Sequence, residues 1–257
     1  MLVFKLLLTP VLIGLVSLAG RRWGPAVSGW LIGLPLTAGP VALFLALGLG
    51  TAFASRAAQG AILGLVSLAG FCLAYSWLSF RTGWLWSLLV SWGVFFALTF
   101  ALEWVSLPLV VAFLGVIGLL AIVLKLLPSS HREVPKVNPP GWEILLRMFV
   151  ATTFVVILTA IASSLGPQLS GLLSTFPLYA SILAVFTHRF QDAAAARRLL
   201  RGLITGIFTF AVFFLLIAAL VERWGIVVTF DLATLIALLL HGCSLWLMRR
   251  YITRTPC

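Results

Sequence analysis

A chain of 257 residues that is 62% hydrophobic and only 9% charged cannot present an ordinary wetted surface, because a soluble domain carries about 25% charged residues. The net charge of +11 does not indicate nucleic-acid binding: the 17 Lys and Arg residues sit mostly in short hinges between apolar runs, not on one continuous face. Cys72, Cys243 and Cys257 have no disulfide or zinc spacing, so no metal or cofactor is expected.

The apolar runs are near 20 residues long. That matches a hydrocarbon core of roughly 30 Å crossed at about 1.5 Å per residue, and the short alternating segments of an outer-membrane barrel are missing. The expectation is an all-α membrane protein with nine transmembrane helices, near 3–20, 25–49, 58–80, 84–104, 106–127, 143–164, 167–187, 199–221 and 226–248. The first run has Lys5 ahead of it and small residues at Ala19 and Gly20, as a signal peptide would. Arg21, Arg22 and Trp23 follow directly, and a copy of the segment recurs later, so it reads as a helix.

Nine crossings put the termini on opposite sides. With the N-terminus outside, 14 basic residues fall on the inner side, in hinges holding Arg21, Arg22, Arg81, Lys125, Arg147, Arg189, Arg197, Arg198 and Arg201 among others. Only Lys5, Arg56 and Arg223 remain outside. The positive-inside bias therefore places the C-terminus in the cytoplasm, in a bacterial inner membrane. The one long polar connection, 128–142, contains four prolines and reads as a stiff cytoplasmic linker.

Sliding the sequence against itself by 142 residues exposes a duplication. Gly24-Pro25-x-x-Ser28-Gly29-x-Leu31-x-x-x-Pro35-Leu36 recurs as Gly166-Pro167-x-x-Ser170-Gly171-x-Leu173-x-x-x-Pro177-Leu178. Arg56, Gly60, Gly64 and Arg81-x-Gly83 meet Arg198, Gly202, Gly206 and Arg223-x-Gly225, and 22 of 60 positions between 24 and 83 are identical. Shared apolar bias does not align prolines, glycines and arginines. The chain thus divides into a first four-helix repeat (1–104), a connecting helix (105–127), the linker (128–142) and a second repeat with a basic tail (143–257). The unmatched fifth crossing turns the second copy over, giving 4+1+4 inverted-topology repeats, an architecture known in secondary transporters.

Ser170-Gly171-Leu172-Leu173-x-x-Phe176-Pro177, followed by Leu183-Ala-Val-Phe-Thr-His188, resembles the second helix of the small inner-membrane proteins of the GlpM-like family, with its Ala-Gly-Leu-x-Pro-x-Phe-Pro segment. The first copy departs from that pattern, with Gly33-Leu34-Pro35 in place of Thr175-Phe176-Pro177. The resemblance implies a fused, inverted pair of four-helix units and carries no activity.

Pro35 and Pro177 fall near mid-span. Each lacks a backbone donor and frees a carbonyl one turn earlier, and such polar backbone persists at membrane depth only where protein or a polar cavity covers it. The expected substrate-binding residues are Ser28, Gly29, Pro35, Thr37, Ser170, Gly171, Ser174, Thr175, Pro177 and Tyr179. The same glycines and prolines also suit close helix packing, the reading preferred for Gly60-x-x-x-Gly64 and Gly202-x-x-x-Gly206. Asp231 and His241, ionisable within the last span, are candidates for proton coupling, and with Thr234 and Leu238 they fall roughly on one stripe. Glu103 reads as a wetted helix end, and His188 and Arg189 as interfacial anchors.

No paired acids, zinc-type His/Glu spacing, Gly-x-Ser-x-Gly or phosphate-binding loop is present, so no enzyme is expected. The sequence points to a transporter of a small neutral or weakly anionic solute, with the lipid bilayer as its surroundings. A homodimer is compatible with it. The alternatives are a lipid-handling, flippase-like protein and a non-transporting scaffold subunit.

Overall fold

A computed structural model describes residues 2–35, 38–128, 142–162, 172 and 174–253. The described residues form ten helices and no strand. In chain order these are α1 (Leu2–Trp23), α2 (Pro25–Ile32), α3 (Ala38–Leu49), α4 (Thr51–Leu78), α5 (Trp84–Glu103), α6 (Leu109–Leu126), α7 (Trp142–Ala162), α8 (Leu178–Phe190), α9 (Ala193–Trp224) and α10 (Ile226–Thr253). Five of them, α4, α5, α6, α9 and the Ile226–Leu245 part of α10, are long and apolar enough to cross a membrane. A multi-pass membrane protein needs such helices.

The surface supports the same class. Large apolar side chains such as Leu47, Phe100, Val110, Leu114, Phe149 and Val227 stand outward. The exposed tryptophans Trp23, Trp77, Trp86, Trp104, Trp142 and Trp224 all sit at or near helix ends. That is where an amphipathic indole meets the boundary between hydrocarbon and head groups.

Two joints differ from the expected spans. The run at 25–49 is not one helix but two, α2 and α3, separated around Pro35. Helices α4 and α9 begin earlier than hydropathy suggests, at Thr51 and Ala193. Gly50, at φ 87, turns the chain straight from α3 into α4 without a polar loop, a conformation that strains any residue with a Cβ. The Asp192 side chain accepts a hydrogen bond from the Ala195 N–H at 2.6 Å and caps α9 about two turns before the apolar run. Polar first turns escape a hydropathy window because their partners lie far away in sequence: Ser55 donates to the Ala218 carbonyl at 2.9 Å.

Helices α4 and α9 are the central pair, each buried along most of its apolar length, while α5, α6 and α10 are mainly peripheral. The pair is antiparallel. Ser55, early in α4, bonds to Ala218, late in α9, while Arg197, early in α9, donates to Ser79 just past the end of α4 at 3.2 Å. Helices α1 and α7 are antiparallel too, with Arg21 beside Glu143 and Gly14 beside Met148.

Helix α2 lies against α9 with almost nothing between the backbones. A Cβ added at Gly29 would strike the Leu199 carbonyl, one at Gly33 the Gly206 backbone, and one at Gly202 the Ala26 carbonyl. The glycines of Gly29-x-x-x-Gly33 therefore face those of Gly202-x-x-x-Gly206, and this close approach brings dispersion contacts that side chains would prevent. Gly64 on α4 is pressed in the same way against Leu172 and Thr175.

Candidate functional site

The two prolines expected near mid-span both stand at helix interruptions. Helix α2 ends at Ile32, and the Pro35 carbonyl accepts from the Gly39 N–H at 2.8 Å to start α3. On the other side Pro177 caps α8, and its carbonyl accepts from the Ser181 N–H at 2.7 Å. A proline ring would collide with the carbonyl four residues back in a continued helix, so each chain breaks before its proline and restarts after it.

The two breaks meet across one cavity of about 60 Å³. Leu34 and Ala38 line it from one side, and the stretch from Ser174 to Ala180 lines it from the other. Leu12, Ile13 and Val16 of α1 and Leu203, Ile207 and Phe210 of α9 close it. At roughly 10–15 Å³ per water centre, the space holds a few water molecules in this state and no sizeable solute. Its lining is chiefly aliphatic, relieved by Ser174, Thr175 and Tyr179.

The second break is walled by aromatic rings. Phe176 lies 5.4 Å from Phe95, 5.6 Å from Phe96 and 5.8 Å from Trp92, while Trp92 Nε1 donates to the Ser181 hydroxyl at 2.9 Å. These α5 side chains cover the interruption from outside and brace the start of α8. Nothing in the local sequence marks them as part of the site. The only available signal was an aromatic cluster (Trp92, Phe95, Phe96) in a span that otherwise reads as generic.

The expected site residues separate into groups. Ser174, Thr175, Pro177 and Tyr179 line the cavity, and Pro35 adjoins it through Leu34. The Thr175 hydroxyl is already committed, donating to the Leu172 carbonyl at 2.7 Å. Ser28 and Gly29 lie away from this cavity: Ser28 donates to the Val16 carbonyl at 3.1 Å, and Gly29 is taken up by the contact with α9. Thr37, Ser170 and Gly171 lie outside the described residues.

The stripe expected for Asp231, Thr234, Leu238 and His241 is not how α10 packs. Phe230, Ala233, Ala237 and His241 form its buried face, and Asp231, Thr234 and Leu238 are exposed. Ten residues advance a helix by about 1000°, which leaves Asp231 roughly 80° away from His241. His241 is 2% exposed and joins three elements. Its ring stacks on Trp30 of α2, and its Nδ1 lies 3.3 Å from the Thr209 hydroxyl of α9. Trp30 in turn donates through Nε1 to Ser244 at 2.8 Å.

Two arginines expected as simple hinge charges are instead engaged within the protein. Arg197 stacks over the Phe80 ring at 4.0 Å and donates to Ser79, while Arg201 donates to the Leu127 carbonyl at 3.1 Å. Among the described residues no three His, Cys, Asp or Glu side chains gather in a way that would hold a metal ion.

Fold and cavity together define a helical membrane protein with two broken helices facing one internal space. Comparison with known proteins adds no relative: no family model, no curated protein and no solved structure matches the chain.

Proposed function

We propose that the protein is a secondary transporter of a small solute, working by alternating access between two inverted four-helix repeats in a bacterial inner membrane. The observation that carries this reading is the pair of proline breaks, equivalent under the 142-residue repeat and lining one cavity. Paired interruptions near mid-membrane are where transporters of this architecture bind their cargo.

The packing supports the repeat. Gly206 rests on Trp30 and Gly33, and a shift of 142 residues turns that contact into Gly64 on Leu172 and Thr175. The bond from Gly39 to the Pro35 carbonyl becomes the bond from Ser181 to the Pro177 carbonyl. Inversion is supported by the antiparallel crossings of α1 with α7 and of α4 with α9, since each pair consists of corresponding helices. On this reading nine crossings run as 4+1+4, α6 is the connector, and the N-terminus is outside. The GlpM-like unit is the proposed ancestor of each repeat. Rocking one repeat against the other exchanges their conformations, and the cavity opens first to one face and then to the other.

Reconstitution into liposomes with a broad solute panel tests the proposal. Accumulation of at least one solute, abolished in Pro35→Ala and Pro177→Ala together, is expected. No uptake of any solute under either sign of pH gradient overturns it.

The chiefly aliphatic lining favours one second reading, a protein that moves lipids. It predicts scrambling of a head-group-labelled lipid in the same liposomes. The arginines near the start of α9 offer anionic head groups little, because Arg197 and Arg201 are engaged within the protein.

A further inference from the structure

Helix α6 has no counterpart under the 142-residue shift, yet its two ends are held by residues that do correspond. Gln59 of α4 donates through its amide to the Leu107 carbonyl at 2.6 Å, just before α6 begins. Arg201 of α9 donates to the Leu127 carbonyl at 3.1 Å, just after α6 ends. Positions 59 and 201 differ by 142, so equivalent places on the two central helices carry the two donors. Between these bonds α6 buries one face, Ala112, Val116, Leu120 and Val123, and packs against both α4 and α9.

Apolar packing accounts for neither bond. A glutamine and an arginine share little beyond N–H groups on a long side chain, and each gives one to a main-chain carbonyl at a matching place. In the inverted arrangement, a two-fold axis passing the middle of α6 exchanges the two bonds, since Leu107 and Leu127 stand ten residues either side of Ile117. An inverted-repeat transporter changes face when its halves exchange conformations. A bond made at one end of the connector in one state then has its equivalent at the other end in the opposite state. Here both are made at once.

We propose that the bonds from Gln59 to Leu107 and from Arg201 to Leu127 are a matched pair of latches on α6. With both fastened neither face opens, and opening to either side releases the latch at that side. The two open states rest on the transport reading; on its topology Leu107 is at the outer end of α6 and Leu127 at the inner. The latches are unequal. Arg201 carries a permanent charge and its bond is partly buried, whereas Gln59 is neutral and its bond is exposed to competing water. The outer latch therefore releases more readily, and the protein without cargo opens to the outside more often than to the inside.

The test is the sidedness of labelling in the full-length chain, in a background free of Cys72, Cys243 and Cys257. Ala180, which lines the central cavity, is made the reporter by Ala180→Cys. An impermeant thiol reagent reaches the outer face in intact cells and the inner face in inverted membrane vesicles. Gln59→Leu is expected to raise the labelling rate about fivefold in intact cells, the shift that losing one hydrogen bond produces, and to leave it unchanged in vesicles. Arg201→Leu is expected to do the reverse. Arg201→Gln keeps a neutral donor and falls between the parent and Arg201→Leu in vesicles. Should Arg201→Leu not fold, Gln59→Leu and Arg201→Gln carry the test. Equal increases at both faces, the mark of a merely loosened fold, overturn the proposal, as do increases at the face opposite the released latch or rates the same as the parent's. Opposed shifts without uptake of any solute in liposomes would remove the transport reading alone, and uptake by a parent whose variants label as it does would remove the latches alone.

Discussion

The indole of Trp30 and the imidazole of His241 stack with centroids 3.7 Å apart and planes 17° from parallel. This contact clamps the first half of a broken helix to the last helix of the chain. With its ring stacked on Trp30 and Nδ1 beside Thr209, the buried His241 occupies a joint between α2, α9 and α10 whose charge would alter both packing and polarity. A single titrating group of this kind is enough to bias a two-state equilibrium.

His241→Ala is therefore expected to abolish substrate-driven proton flux in liposomes, by about tenfold or more, and to lower stability by about 1 kcal/mol through loss of the ring stack. Asp231→Asn, altering an exposed side chain, is expected to keep most of the flux. Unchanged proton and solute movement in both variants would remove proton coupling from the account.

The glycine seam predicts a graded response in thermal unfolding. Gly206→Leu and Gly29→Ala drive a side chain into the facing backbone and are expected to cost about 1–3 kcal/mol or to prevent folding. Gly118→Ala on α6 meets nothing within 4 Å and should be neutral or slightly stabilising, since alanine is the better helix former. Equal effects at all three positions would contradict the packing.

Phe176→Ala empties the middle of the aromatic wall and should lower stability by about 3–5 kcal/mol. Trp92→Phe removes the bond to Ser181 while keeping an aromatic ring beside Phe176, a smaller loss of about 1 kcal/mol. If the cavity is the cargo site, Phe176→Ala also shifts the measured solute preference towards larger molecules, a change that Trp92→Phe does not produce.

Topology is checked by single cysteines in a background free of Cys72, Cys243 and Cys257. Labels introduced near Arg56 and Arg223 should react with an impermeant reagent from outside in intact cells, and a label near Lys136 only after permeabilisation. Reaction of all three from one side would break the alternation on which inversion depends.

The helical class could be read from the sequence because the lengths of apolar runs are a direct imprint of bilayer thickness. The breaks at Pro35 and Pro177 could also be read, since a missing donor acts locally wherever the chain goes. Less legible was anything that depends on partners distant in sequence. Arg147 reads as a hinge charge, yet it is buried against Glu143 and the Phe186 ring. The one available signal was the four-residue spacing of Glu143 and Arg147 inside an apolar run, which places them on one face. Steps of three and four residues suggest one stripe for Asp231 and His241, but the 3.6-residue turn drifts by roughly 80° over the ten residues between them. The pairing of Trp30 with His241 joins residues 30 and 241 and leaves no local trace.

The interlocking of α2 with α9, and of α4 with Leu172 and Thr175, also bears on how the molecule is made. Ribosomes deliver Gly64 more than a hundred residues before Leu172, and Gly33 long before Gly206. During that interval the surfaces around Gly33 and Gly64 lack the backbone against which they close. Each half supplies what the other lacks, so neither is a finished body by itself. A truncation after α6 should therefore leave an incomplete fold open to quality-control proteases, whereas co-expression of the two severed halves should restore it.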